Sequence, residues 1–204
     1  MKKLLIILSL FFLGKTSFSQ NRHFVYVDVL PILSKTVDVG YEYHILPYLS
    51  TSASIGYAFN SRRGNILKKG DAYDLSKQTG MYLKTQIQFN IRKKLSQFAP
   101  ILGVNIINAL AIEEGTYTDL NMFIDPITIP VKKESYNLAI NAVFGITSPS
   151  NKRFSFSLGL QAGSFLINNT LSFHSHIPGT GIRTGGITFQ GFAKVKFRII
   201  PFEI

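Results

Sequence analysis

Residues 36–45 read Thr-Val-Asp-Val-Gly-Tyr-Glu-Tyr-His-Ile, and their spacing decides the class of fold. Val37, Val39, Tyr41, Tyr43 and Ile45 alternate with Thr36, Asp38, Gly40, Glu42 and His44. Side chains two residues apart share one face of a strand, so this segment has an apolar face and a polar one. Wound into a helix, the same β-branched and aromatic residues would scatter around the wheel.

The pattern recurs along the chain. In Leu49 to Phe59, Leu49, Ala53, Ile55, Tyr57 and Phe59 oppose Ser50, Ser52, Ser54, Gly56 and Ala58. Thr79 to Arg92, Tyr136 to Ile146, Phe154 to Leu166 and Ile187 to Ile199 alternate in the same way. Phe24 to Leu30 and Ile101 to Ile112 are less regular strands, the second with a bulge expected near Asn108. The expectation is eight strands of about ten residues each, the length a tilted strand needs to cross a bilayer.

After the short link Pro31 to Lys35, the connections alternate between tight (Leu46 to Tyr48, Lys93 to Pro100, Ser148 to Arg153) and long (Asn60 to Gln78, Glu113 to Glu134, Ile167 to Gly186). An antiparallel up-and-down barrel with both termini at one end produces this rhythm, with turns at that end and long loops at the other. Neither an internal repeat nor a linker marks a second domain.

Composition narrows the class further. The 204 residues include no cysteine, which excludes disulfide staples, thiolate metal sites and a cysteine nucleophile. The chain is 46% hydrophobic and only 16% charged, yet it contains no apolar run long enough for a membrane-spanning helix. Residues 1–19 read as a secretory signal: Lys2 and Lys3, an apolar stretch from Leu4 to Leu13, then Ser17 and Ser19 before a cut. The barrel domain is then 20–204, with 19 basic residues against 11 acidic ones.

Alternation alone fits two kinds of barrel, a soluble one with the apolar face inward and a membrane one with it outward. The polar face decides between them. It carries small residues such as Ser50, Ser54, Gly56, Ala139, Ser157 and Gly159, which suit a crowded lumen better than a water-facing exterior. The apolar face is nearly free of charge, and its aromatic residues gather towards both ends, as interfacial girdles do. The expected fold is therefore all-β: an eight-stranded antiparallel up-and-down transmembrane β-barrel.

On these features the chain from Gln20 onward resembles the small eight-stranded outer-membrane barrels of the OmpA/OmpX-like superfamily. The lysine-rich signal followed by Gln20 is similar to those of exported proteins of the Bacteroidota. The resemblance implies a protein of a Gram-negative outer membrane, with lipid and lipopolysaccharide around it and other envelope proteins as partners. Its implied role is structural or interactive: envelope integrity, surface adhesion, or service as an accessory subunit. It implies no cofactor and no metal. One departure is the C-terminus, Pro201-Phe202-Glu203-Ile204, where such barrels usually end on an aromatic residue.

The inward charges sort by strand. Asp28, Asp38 and Glu42 lie on the first two strands, Lys84 and Arg92 on the fourth, and Lys194, Lys196 and Arg198 on the last. Closure sets the last strand beside the first, so Asp38 and Glu42 are expected to accept from Lys194, Lys196 or Arg198, plugging a lumen already too narrow for an open pore. Arg62, Arg63, Lys68 and Lys69 in a long outer loop are candidates for contact with lipopolysaccharide phosphates. No stacking platform or recognition helix accompanies the basic excess, so nucleic acid is not an expected partner.

Catalytic chemistry is sparse. His174, Ser175 and His176, with Glu113 and Glu114 in another loop, invite comparison with barrel enzymes that deacylate lipid A, but the longer Ser-Asn-containing motif of that family is absent. The alternatives to a structural role are thus a lipid-acting barrel enzyme and a soluble exported ligand-binding barrel. If the signal reading holds, the intact mass of protein purified from envelopes corresponds to a chain beginning at Gln20; a chain that retains Met1 to Ser19 refutes it.

Overall fold

The computed structural model describes residues 23–61, 73–92, 94, 96–119, 127–150, 152–169, 182–184 and 187–199. The signal region, Arg62, Arg63, Lys68, Lys69, and the His174-Ser175-His176 group lie outside them. The described residues form nine strands: β1 (His23–Asp28), β2 (Thr36–Leu46), β3 (Leu49–Ser61), β4 (Tyr73–Asn90), β5 (Ala99–Asp119), β6 (Ile127–Thr147), β7 (Phe154–Asn168), β8 (Ile182–Thr184) and β9 (Ile187–Arg198).

Each of β1 to β6 pairs antiparallel with the next, β7 pairs with β9, and β9 closes on β1, so eight strands make a ring. The three-residue β8 is not one of the eight. It forms a hairpin with Ile187 to Phe189 of β9, on the same edge that β1 occupies further down from Lys194 to Arg198. Following paired residues from Val25 through Tyr41, Ala53, Thr85, Ile106, Ile140 and Ser164 leads to Ile187, whereas Val25 itself pairs with Phe197. The ring is therefore sheared by ten residues, from 187 to 197. Such stagger requires the strands to tilt by roughly 35–45° from the barrel axis.

Two expectations are corrected. Strands β4, β5 and β6 run to 18, 21 and 21 residues, well past ten, because the segments flanking residues 120–126 continue the β5–β6 ladder as far as Asp119 and Ile127. Glu113 and Glu114 are consequently strand residues and not loop residues. The β4–β5 and β5–β6 ladders are also unbroken at Asn108, and the nearest register shifts fall between Leu75 and Lys77 in the β4–β5 ladder and between Leu138 and Ala139 in the β6–β7 ladder. The irregular pattern of β5 has another cause: its inward residues Ile101, Ile107, Ala109 and Ala111 are apolar and buried, and the first three belong to small clusters inside the lumen. The short first link is a 3₁₀ helix, Leu30–Ser34, that has Pro31 in its first turn and ends at Lys35 in the left-handed region (φ 56°).

The lumen is filled from opposite walls. Tyr26 pairs with Gly40 and Tyr82 with Gly56, and each ring lies over the glycine of the neighbouring strand. A Cβ at Gly56 would fall within the ring of Tyr82. Phe192 covers Gly159 likewise. Gly56→Val should therefore force Tyr82 aside and destabilise the barrel by about 1–3 kcal/mol, read from the urea midpoint of detergent-folded protein; an unchanged midpoint rejects this packing role.

Candidate functional site

Strand parity, combined with small residues on β3, builds the polar interior. Asp38 pairs with Gly56, and Gly56 with Tyr82, so the carboxylate of β2 reaches β4 across a position that has no side chain. Tyr82 donates its hydroxyl to Asp38 Oδ2 at 2.6 Å, and Lys84 Nζ bonds the same oxygen at 2.8 Å. Asp28 Oδ2 stands 4.0 Å from Lys84, while Asp28 Oδ1 accepts the backbone N–H of Ala193 at 2.9 Å. Nearer the turn end, Glu42 Oε2 is 2.6 Å from Lys196 Nζ, and Glu42 Oε1 is 3.0 Å from His44 Nε2. The His44 ring meets Phe24 edge-on.

The structure thus rearranges the expected pairing. Glu42 meets Lys196 of the last strand, but Asp38 turns the other way, to Lys84. Lys194 bonds Gln86 Oε1 at 3.2 Å and lies over the rings of Tyr26 and Phe192. Arg198 stands at the turn end, in register with Phe24. Arg92 meets no carboxylate among the described residues. Its contacts are Pro47 O, Gln97 O, Ser148 O and Ser150 Oγ.

Sequence reasoning missed the neutral partners. Gln86, Gln88 and Asn90 form a ladder up the inner face of β4 that ends on Ser50. Asn141, Asn105, Gln161 and Gln190 link β6, β5, β7 and β9, with Thr188 also donating to Asn141. The signal was present in the inward amides at period two, but an amide carries no sign of charge from which to guess its partner. Glu113 is also buried in the upper lumen and accepts from Gln78 at 3.2 Å.

The exterior is the reverse of the lumen. Outward residues such as Val39, Ile55, Met81, Ile87, Leu102, Leu158 and Val195 are exposed. From Thr79 to Ile91 on β4, and from Pro100 to Ile112 on β5, no outward position is charged. At about 3.3 Å per residue and a tilt of about 40°, that belt stands roughly 30 Å tall. Rings mark its ends: Phe154 meets Phe197 at a tilt and Phe98 meets Phe156 edge-on towards the turns, and Tyr57 meets Phe59 edge-on towards the loops. Just above the belt a cross-strand row of Lys77, Glu114 and Lys132 begins the charged rim, with Glu114 3.6 Å and 3.3 Å from the two lysines. The hydrogen bond from Lys132 and the charge of Lys77 hold the Glu114 carboxyl below its ordinary range.

Removing one member of a buried pair strands the other charge, whereas replacing both with apolar groups does not. Glu42→Gln and Lys196→Met should each destabilise the barrel, by about 3–5 kcal/mol, and the double variant by clearly less than their sum. Additive losses in urea unfolding would show that the two residues do not act as a pair.

No protein-family model matches the chain, and no curated protein sequence does. Among solved structures, the N-terminal β-barrel domain of OprF from Pseudomonas aeruginosa is similar, with 9% sequence identity over 88% of this chain and 98% of that one, at a TM-score of 0.47. The barrel described above rests on the strand pairing of this chain itself.

Proposed function

We propose that this chain is an integral outer-membrane protein whose barrel spans the bilayer with its lumen sealed, and that its role is structural or interactive and not catalytic. The observation that carries this reading is the charge-free apolar belt, roughly 30 Å tall, around a closed ring with a polar interior. Soluble monomers rarely expose contiguous apolar patches beyond a few hundred Å², and a water-facing barrel would place these residues inside. Hydrocarbon about 25–30 Å thick is the solvent such a belt fits. Closure satisfies backbone groups between neighbouring strands, as a lipid environment requires.

The interior supports a sealed lumen. Tyr26, Tyr82, Phe192, the ion pairs and the amide ladders occupy the space that a conducting path would need. Envelope integrity, adhesion, or an accessory place in a larger outer-membrane assembly are the roles proposed for such a body. Arg62, Arg63, Lys68 and Lys69, in the segment joining β3 to β4, are the proposed contacts to lipopolysaccharide phosphate. Export by the segment 1–19 belongs to the same reading.

Membrane-fraction protein should show heat-modifiable gel mobility, and the purified barrel should give no steady conductance in a planar bilayer. Recovery in the soluble fraction refutes the membrane reading, and a large steady conductance refutes the sealed lumen.

A further inference from the structure

Arg92 follows β4 at the turn end and is only 7% exposed. Its Nε donates to Pro47 O at 3.2 Å, Nη1 to Gln97 O and Ser148 O at 3.4 Å each, and Nη2 to Ser150 Oγ at 2.9 Å. Those acceptors belong to the β2–β3, β4–β5 and β6–β7 connections, which stand at intervals around the ring, with the β1–β9 seam between the last and the first. A group bonded to all three lies across the mouth. Only guanidinium, with five donors in one plane, can hold acceptors in so many directions; a lysine ammonium is a point charge with three.

We infer that Arg92 is a latch that closes the turn-end mouth of the barrel, and that this is the end from which the lumen opens. The inference rests on the sealed-lumen reading and goes further by assigning the closure of one end to one side chain. The latch differs from the ion pairs above it in how it can be undone. Parting Glu42 from Lys196 leaves two charges stranded inside the lumen, which is costly. Parting Arg92 from three carbonyls and a hydroxyl at the mouth hands neutral acceptors to water, which can bond them. Behind the latch lie Ser50 and Asn90, hydrogen-bonded to each other at 3.2 Å, with His44 in register with Ser50, and then Glu42 and Lys196.

The absence of cysteine makes the test clean. Ser50→Cys places a single thiol directly behind the latch at a fully buried position. The full chain is folded into phosphatidylcholine vesicles, folding is verified by heat-modifiable mobility, and labelling by a sulfonated maleimide is timed. With Arg92 in place the thiol should label slowly. Adding Arg92→Ala should speed labelling about tenfold or more, the equivalent of losing one charge-assisted hydrogen bond, in barrels that remain folded. Adding Ser150→Ala instead removes a single acceptor and should speed it about two- to tenfold, which keeps the test available if Arg92→Ala does not fold. Slow labelling in all the folded variants overturns the latch while leaving the sealed lumen standing. Fast labelling with Arg92 present overturns both.

Discussion

Closure of β9 on β1 is the constraint from which the rest of the structure follows. A sheet with free edges exposes backbone donors and acceptors; a ring of eight strands pairs them with neighbours and also divides space into an inside and an outside. Once the ring exists, each residue's parity assigns it to one side. Val25, Val27 and Val29 must then stand outside, and Tyr26 and Asp28 within. The belt and the lumen are two consequences of one closure.

The lumen carries the electrostatic cost of that division. Charges withdrawn from water need partners, and the barrel supplies them by pairing large inward residues with small ones on the next strand. Asp38 reaches Tyr82 and Lys84 because Gly56 lies between the strands without obstructing them. Glu42 reaches Lys196 across β1 differently, past the inward rings of Phe24, in register with Glu42, and Tyr26, in register with Lys196. Gly56 is thus the space in which the Asp38 pair forms, and the apolar clusters around Ile107 and Ile101 fill what the polar groups leave.

Wall height is uneven, and this shapes the two ends differently. Strand β1 has six residues and β5 and β6 have 21 each, so the β4–β5–β6 face rises beyond the belt into a charged rim while the β1–β2 side ends in a 3₁₀ turn. The exposed Ile32 and Leu33 on that turn continue the apolar exterior where β1 has already stopped. At the other end the connections are short enough for one arginine to join them.

The sequence by itself determined parity, and with it the class of fold and the faces on which Asp38, Glu42, Lys84 and Lys196 lie, because two-residue alternation is local covalent geometry. The expected alternation of tight and long connections is overturned by the extended β5–β6 ladder, which leaves only residues 120–126 between β5 and β6, one fewer than the 91–98 link expected to be tight. The sequence did not determine where β5 ended, since Glu113 and Glu114 read as loop until pairing with Lys133 and Lys132 extended the ladder. Nor did it assign partners. Which cation met Asp38, and that Arg92 met three turns and, among the described residues, no carboxylate within ion-pair distance, depended on the ten-residue shear and on reach across the lumen. Those are relations between strands distant in sequence, and only the closed tertiary structure fixed them.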